Sequence, residues 1–414
     1  TTGATTFTGA VGGTTALTSL TTNAGGTLAI NGGLVRTTGA QTYGEVATLG
    51  ADTTLRGVNV AFASTIDSVS STPFSLTISD SGTTILGGSV GALHALNNLT
   101  TDSLTTADGQ THIKGSHIVA GSAVFYDIVK VFTDATVQTQ GEMSFMQTVD
   151  ADVANTRTLK LNGGNTGGIN VYGALGDSVA FKTLEVLNSE MTTFTGKVTT
   201  SDSVVLTDTH NSIDFNGGLN TTSFSVAAKP FALTLRGVVS VSSATTLANT
   251  GALQLGGVES DDMHFAGGLV ATSPSAITLA GVLHSDDAAI TLGNVNSTIS
   301  LAEMTDINSG AGSLHVVSPV AASEYRLRLL STGATTLDGD ISSTGALRFV
   351  GPLTFTNPAT LTAASFDFAN RVSFAGASTL TASNVTFGGA VTAAGDLTVN
   401  GATVVNGGSV NAGS

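Results

Sequence analysis

An in-phase repetition constrains this chain more than any other feature. Phe7-Thr8-Gly9-Ala10-Val11-Gly12 is echoed by Leu86-Gly87-Gly88-Ser89-Val90-Gly91 and by Val171-Tyr172-Gly173-Ala174-Leu175-Gly176, so that the motif starts at Phe7, again at Leu86 and again at Val171. The echo keeps step further on, because Ala16-Leu17 with Leu20 matches Ala95-Leu96 with Leu99 and Ala180-Phe181 with Leu184. A second series runs Phe74-Ser75-Leu76-Thr77-Ile78, Thr158-Leu159-Lys160-Leu161 and Phe231-Ala232-Leu233-Thr234-Leu235. A third joins Asp52, Leu55, Phe62, Ile66 and Asp67 to Asp134, Val137, Phe145, Val149 and Asp150. Residues 1–240 therefore read as three diverged units of roughly 80 residues, and 241–414 as a continuation with shorter, less regular repeats.

Within and beyond these units runs a shorter cadence of apolar residue, Gly and apolar residue, as in Leu55-Arg56-Gly57-Val58, Leu235-Arg236-Gly237-Val238 and Leu279-Ala280-Gly281-Val282. Runs of that length, rich in β-branched Thr and Val and broken by Gly, Asn, Ser or Asp, predict short strands joined by tight corners. Mean hydropathy is +0.30 with 41% hydrophobic and 10% charged residues, so enough apolar surface exists to offset chain entropy and the chain folds. The apolar residues never form an uninterrupted stretch of about 18, which excludes a membrane-spanning helix. The chain reads as all-β.

Sandwich arrays and solenoids both show short strands with frequent turns. Two features favour the solenoid. The absence of Trp and the presence of four Tyr leave out the large aromatic pins of sandwich cores, and a narrow interior stacks Val, Leu, Ile, Ala and Phe instead. With six Pro and no charged or Gly/Ser linker, nothing divides the copies. The prediction is a single continuous rod, a parallel β-helix of coils about 20 residues long.

Val35-Arg36-Thr37-Thr38-Gly39-Ala40-Gln41-Thr42-Tyr43, with Val46 to Leu55 after it, resembles the repeats of giant bacterial surface proteins similar to filamentous haemagglutinin and large autotransporter adhesins. Gly9 to Thr22 resembles the same repeats, and the specific likeness covers residues 5–67. The resemblance implies a right-handed parallel β-helix, export to the bacterial cell surface, and a part in adhesion or in an extracellular layer. It carries no catalytic residues, and the chain shows no secretion module, membrane barrel or adhesive head of such proteins.

Chemistry-bearing residues are sparse. Zero Cys excludes a disulfide framework, thiolate metal ligands and a cysteine nucleophile. A net charge of −15, with 14 scattered basic residues, argues against nucleic acid as a partner. β-Helices also host polysaccharide lyases and hydrolases, whose paired carboxylates are represented here by Glu259-Ser260-Asp261-Asp262 with His264, by His284-Ser285-Asp286-Asp287, and by Asp208 with His210 and Asp214. The first two sets lie about one coil apart, so adjacent coils could join them into a Ca²⁺ site or an acid–base pair; solvated turn residues are the simpler reading. His112 and His117 lack the spacing of zinc ligands. Thr100-Thr101 with Thr105-Thr106 lack the coil-by-coil regularity of an ice-binding face, and Tyr43, Tyr126, Tyr172 and Tyr325 fit core or flank positions better than carbohydrate platforms.

The expected function is a non-enzymatic structural solenoid of a bacterial surface or extracellular fibre, with no catalytic, cofactor-binding or metal-binding residues. An adhesin for host or environmental glycans is the alternative, ahead of a polysaccharide lyase or hydrolase. Residues 1–35 carry no charge and Asp396 is the single charge after Arg371, so both ends read as uncapped strands. Together with a start at Thr1-Thr2-Gly3, this suggests an excerpt of a longer array or a subunit whose partner is itself, head to tail.

Overall fold

The structure, a computed structural model, describes residues 2–70, 72–102, 109–407 and 410–412. Among them there is no helix; the chain is a β-solenoid, with short strands pairing in parallel across about 20 stacked turns. The chain divides into two compact units, Thr1–Ser212 and Ile213–Ser414.

Each coil follows from the alternation of side chains along a strand. Leu76–Asp80 reads buried, half-buried, buried, half-buried, buried, and Leu353–Phe355 reads buried, exposed, buried. Apolar residues take the inward places and Thr, Ser and Arg the outward ones, so one slip of register would expose the core. Parallel pairing then sets each inward residue above its counterpart one coil earlier. Burying a Leu, Ile or Phe in this way contributes about 1.5–3 kcal/mol.

In the first unit Leu28, Ala47 and Ile66 stack at two equal, short steps along the chain. Leu55, Ile78 and Thr101 stack at two equal steps that are longer, because the corners between them hold more residues. The in-phase positions of the repeat share one local device. Val11 bridges Val35, Val90 bridges Ile66 and Ile118, and Leu175 bridges Val149 and Val198. The next residue is in each case a glycine with positive φ, Gly12 at 70°, Gly91 at 66° and Gly176 at 71°. An added Cβ would collide with the carbonyl oxygens of Arg36, Val119 and Thr199 respectively, so the position admits Gly alone. The third series recurs too: Asp67 Oδ1 accepts from the Leu93 and His94 amides, and Asp150 Oδ1 from those of Ser178 and Val179. Each carboxylate pins the loop that follows the glycine one coil later.

In the second unit a column of Ile277, Ile299, Val320, Ile341, Leu361, Leu380 and Val399 runs from coil to coil, its steps shortening towards the carboxy-terminal end. Beside it, Phe349, Phe368 and Phe387 form a ladder with ring centroids 5.1 and 5.2 Å apart, and Phe355 stacks on Phe374 at 5.0 Å. Near-identical coils superpose like on like, and flat rings tolerate the roughly 4.8 Å strand spacing with little offset. The interior retains a small apolar cavity of about 10 Å³ lined by Leu279, Leu292, Ile307 and Val316, with Leu329 and Leu337.

Candidate functional site

Two of the three acidic sets singled out in the sequence meet on adjacent strands of the second unit. Strands Asp262–Phe265 and Ile277–His284 pair in parallel, with Asp262 opposite Val282 and His264 opposite His284. The next strand, Ile299–Asn308, sets Asp306 beside Val282 and Asn308 beside His284. Glu259, Asp261, Asp262, His284, Asp306 and Asn308 line an open groove of about 540 Å³.

Neighbouring carboxylates here have different employments. Asp261 is buried, and its Oδ2 accepts from the Gly257 and Val258 amides at 2.7 and 3.3 Å, which closes a turn. Asp287 has a positive φ of 54° and accepts from the Ala311 amide at 2.6 Å, pinning the next coil. Both carboxylates are engaged in turns, Asp261 buried rather than solvated. Asp262 and Asp286 point elsewhere: His264 Nε2 lies 3.0 Å from Asp286 Oδ1, and His284 Nε2 lies 2.9 Å from Asp262 Oδ1. The two imidazoles stack face to face, with centroids 4.3 Å apart and planes within 1°. Asp306 forms a forked pair with Arg328, whose guanidinium it holds more firmly protonated, and Arg326 lies 3.8 Å from Asp306 and 3.9 Å from Glu259. Asp262 Oδ1 and Arg326 Nε are closed to water and make no aligned hydrogen bond.

The other candidates lie apart from this groove. Asp208 Oδ1 accepts from the Thr209 amide, His210 donates its amide to Ser189, and Asp214 sits in strand Ser212–Phe215. His112, in strand Gln110–Ile113, packs 4.7 Å from Phe132, while His117 begins strand His117–Phe125 and meets Ser116. Burial first, then the Lys114 and Lys130 charges, pulls the His112 pKa down. As the side chains stand, no three His, Asp or Glu groups among the described residues are disposed to hold a metal ion. Thr101 is buried and donates to Asp127, so it belongs to no Thr-covered face; Thr105 and Thr106 lie outside the described residues. Tyr43 is core, stacked 4.5 Å from Phe62 with its hydroxyl donating to Gln41, and burial pushes its pKa up. Tyr172 is 47% exposed, whereas Tyr126 and Tyr325 are half-buried.

The sequence reading expected adjacent coils to bring the His264 and His284 sets together, and they do, but it did not foresee the face-to-face stacking of the two rings. The usable signal was a separation of one coil, His264 to His284, combined with the mirrored triplets Asp262-Met263-His264 and His284-Ser285-Asp286. No helix among the described residues is long and apolar enough to cross a membrane. Comparison with known proteins finds no matching family model, no matching curated protein and no matching solved structure.

Proposed function

We propose that this chain is a structural solenoid of a bacterial surface or extracellular fibre, a spacer that carries length and stiffness and performs no turnover. One observation carries the reading. The column from Ile277 to Leu380 stays buried from coil to coil without a break, each coil held to the next by the parallel ladder. Residues spent on continuous stacking give a rod resistance to stretching, because coils part only when ladder bonds and core contacts break together. Single-molecule stretching is expected to give stepwise release of coil-sized lengths at high force, and a polysaccharide panel to yield no fragments. Low-force unravelling, or sugar release that Asp262→Asn and Asp286→Asn abolish, would replace the scaffold by an enzyme.

A glycan-binding surface is the second reading, favoured by an uncharged groove of about 350 Å³ in the first unit. It is lined by Gln138, Gln140, Asn162, Asn165 and Asn188, with Thr139 and Thr166 beside them. Amides pair donor and acceptor in a manner that suits sugar hydroxyls. Saturable binding of neutral oligosaccharides, lost in Gln138→Ala/Gln140→Ala, would support it; equal binding by that variant would remove it.

A further inference from the structure

The uncharged groove of the first unit is one end of a longer furrow. A second groove, of about 250 Å³, is lined by Pro73, Ala95, Leu96 and Val119 and then by Gln138 and Gln140, the two residues that also line the first. Strands His117–Phe125, Ala135–Thr139, Thr158–Asn162 and Phe181–Asn188 carry the furrow from coil to coil, since parallel register stacks Val119, Gln138, Asn162 and Asn188 in one column. Three steps of about 4.8 Å make that column about 14 Å long, more than two sugar rings end to end. Its halves differ: apolar around Ala95 and Val119, amide-lined from Gln138 onwards. Gln138 and Gln140 are exposed, and neither side chain spends a hydrogen bond on the protein among the described residues. Asn188 Nδ2 donates to Asn165 Oδ1 at 2.6 Å, and Asn162 Oδ1 accepts from the Gly164 amide at 3.0 Å. Those bonds fix the amides and leave Asn162 and Asn165 their NH₂ groups and Asn188 its carbonyl oxygen to offer. None of the residues lining either half is charged, and Lys160 and Glu185, on the same strands, pair with each other at 2.8 Å.

We propose that this furrow binds a linear, neutral polysaccharide laid from coil to coil, several sugar units long. Ring C–H faces rest on the half around Ala95 and Val119, and hydroxyls meet the amides from Gln138 to Asn188. The proposal rests on the glycan-binding reading above and adds to it the extent of the site, the direction of the chain and the charge of the ligand. Sugar hydroxyls both donate and accept, and side-chain amides answer with both. Each exposed amide contributes little, so a short sugar is held weakly and affinity accumulates along the chain. A carboxylated glycan finds no cation among the lining residues of a protein with a net charge of −15. An extended peptide, which adds to a free sheet edge, finds none here, because strand Ala135–Thr139 is paired on both sides.

Titration calorimetry of the full chain with cello-, laminari- and malto-oligosaccharides, from disaccharide to hexasaccharide, tests this, with a galacturonate hexamer as the charged counterpart. In the series that binds, affinity should rise at least about tenfold from disaccharide to hexasaccharide, exceed that of the galacturonate hexamer, and change little with salt. Ala95→Asp puts a charge at an exposed position of the apolar half. It should weaken the hexasaccharide about tenfold and leave the disaccharide, which the amide half holds alone, unchanged. Asn165→Ala, in the amide half, should weaken both. Circular dichroism checks that the variants fold, and the length dependence in the unaltered chain provides the test if one does not. Equal affinity for disaccharide and hexasaccharide, or undiminished hexasaccharide binding by Ala95→Asp, would overturn the furrow while leaving the smaller glycan site at Gln138 and Gln140 standing. Tighter binding of the galacturonate hexamer would overturn the neutral ligand, and no binding in any series would overturn the furrow and the glycan reading together.

Discussion

The coils around Val60 to Asp127 and those from Ile341 to Val399 solve the same stacking problem differently. The former take long strides, Leu55 to Ile78 and Leu99 to Ala123, and bury carboxylates; the latter take short ones, Ile341 to Leu361 and Leu361 to Leu380, and stack rings. Asp80 accepts from the Asn59, Val60 and Gly82 amides and from the Thr84 hydroxyl. One coil further, Asp102 Oδ1 accepts from the Asp80 amide, and Asp127 accepts from the Thr101 and Thr111 hydroxyls. The lengthened corners would otherwise leave backbone donors unpaired inside the protein, and buried Asp supplies the acceptors. Where the corners are shorter, hydroxyls rather than carboxylates take this part, Ser343 accepting from the Gly345 amide and Ser378 from the Ala359 amide, and apolar rings fill the space. Corner length, more than core composition, decides how much polarity a coil must bury.

Breaking the ring ladder should have the largest effect. Phe368, stacked between Phe349 and Phe387 and 1% exposed, should cost about 3–5 kcal/mol as Phe368→Ala, read by denaturant unfolding. Hydrogen exchange should rise across 347–387 while the first unit keeps its protection; a loss spread evenly over both units would contradict the comparison. Asp80→Ala should come next, at about 2–3 kcal/mol, because it strands buried amides. Its mark would be faster exchange at Asn59, Val60 and Gly82.

Acid sharpens the contrast. Burial raises the Asp127 pKa above its ordinary 3.8, with a smaller contribution from Asp80, against the lowering pull of Thr111 and Thr101. A raised carboxyl takes up its proton in the folded state first, so this group adds stability as pH falls through its folded pKa towards 3.8. Asp127→Asn should remove that gain, measured as a flatter dependence of the unfolding midpoint on pH. The same pH dependence in parent and variant would assign the effect to another group. The smallest effect belongs to exposed pairs: Arg348–Asp367, 3.6 Å apart with both side chains about half exposed, should change stability by under about 1 kcal/mol as Arg348→Ala, and less in high salt.

The strand-and-corner alternation was legible in the sequence because inward places demand apolar residues at period two, as in Leu353-Thr354-Phe355. The glycines after Val11, Val90 and Leu175 were legible because positive φ at a crowded corner excludes side chains. The stride of single coils was not, since corners vary from coil to coil and blur the even spacing that Phe349, Phe368 and Phe387 keep. The groove was half legible: its carboxylates were visible as clusters, but which of each Asp-Asp step closes a turn and which faces a histidine depends on pairing across coils.

The constant stride near the carboxy-terminal end has a consequence for how the chain finds its own arrangement. Displacing one of these coils by a whole turn would set Phe349 against Phe387 in place of Phe368 and restore most contacts, so the correct alignment is separated from its neighbour by a small energy gap. The earlier coils change stride, short from Ala47 to Ile66 and long from Leu55 to Ile78, so a slip by one turn there leaves corners unmatched and the coils are keyed to their neighbours. Threading that begins among the keyed coils and proceeds towards the uniform ones would reach the repetitive end with its phase already decided.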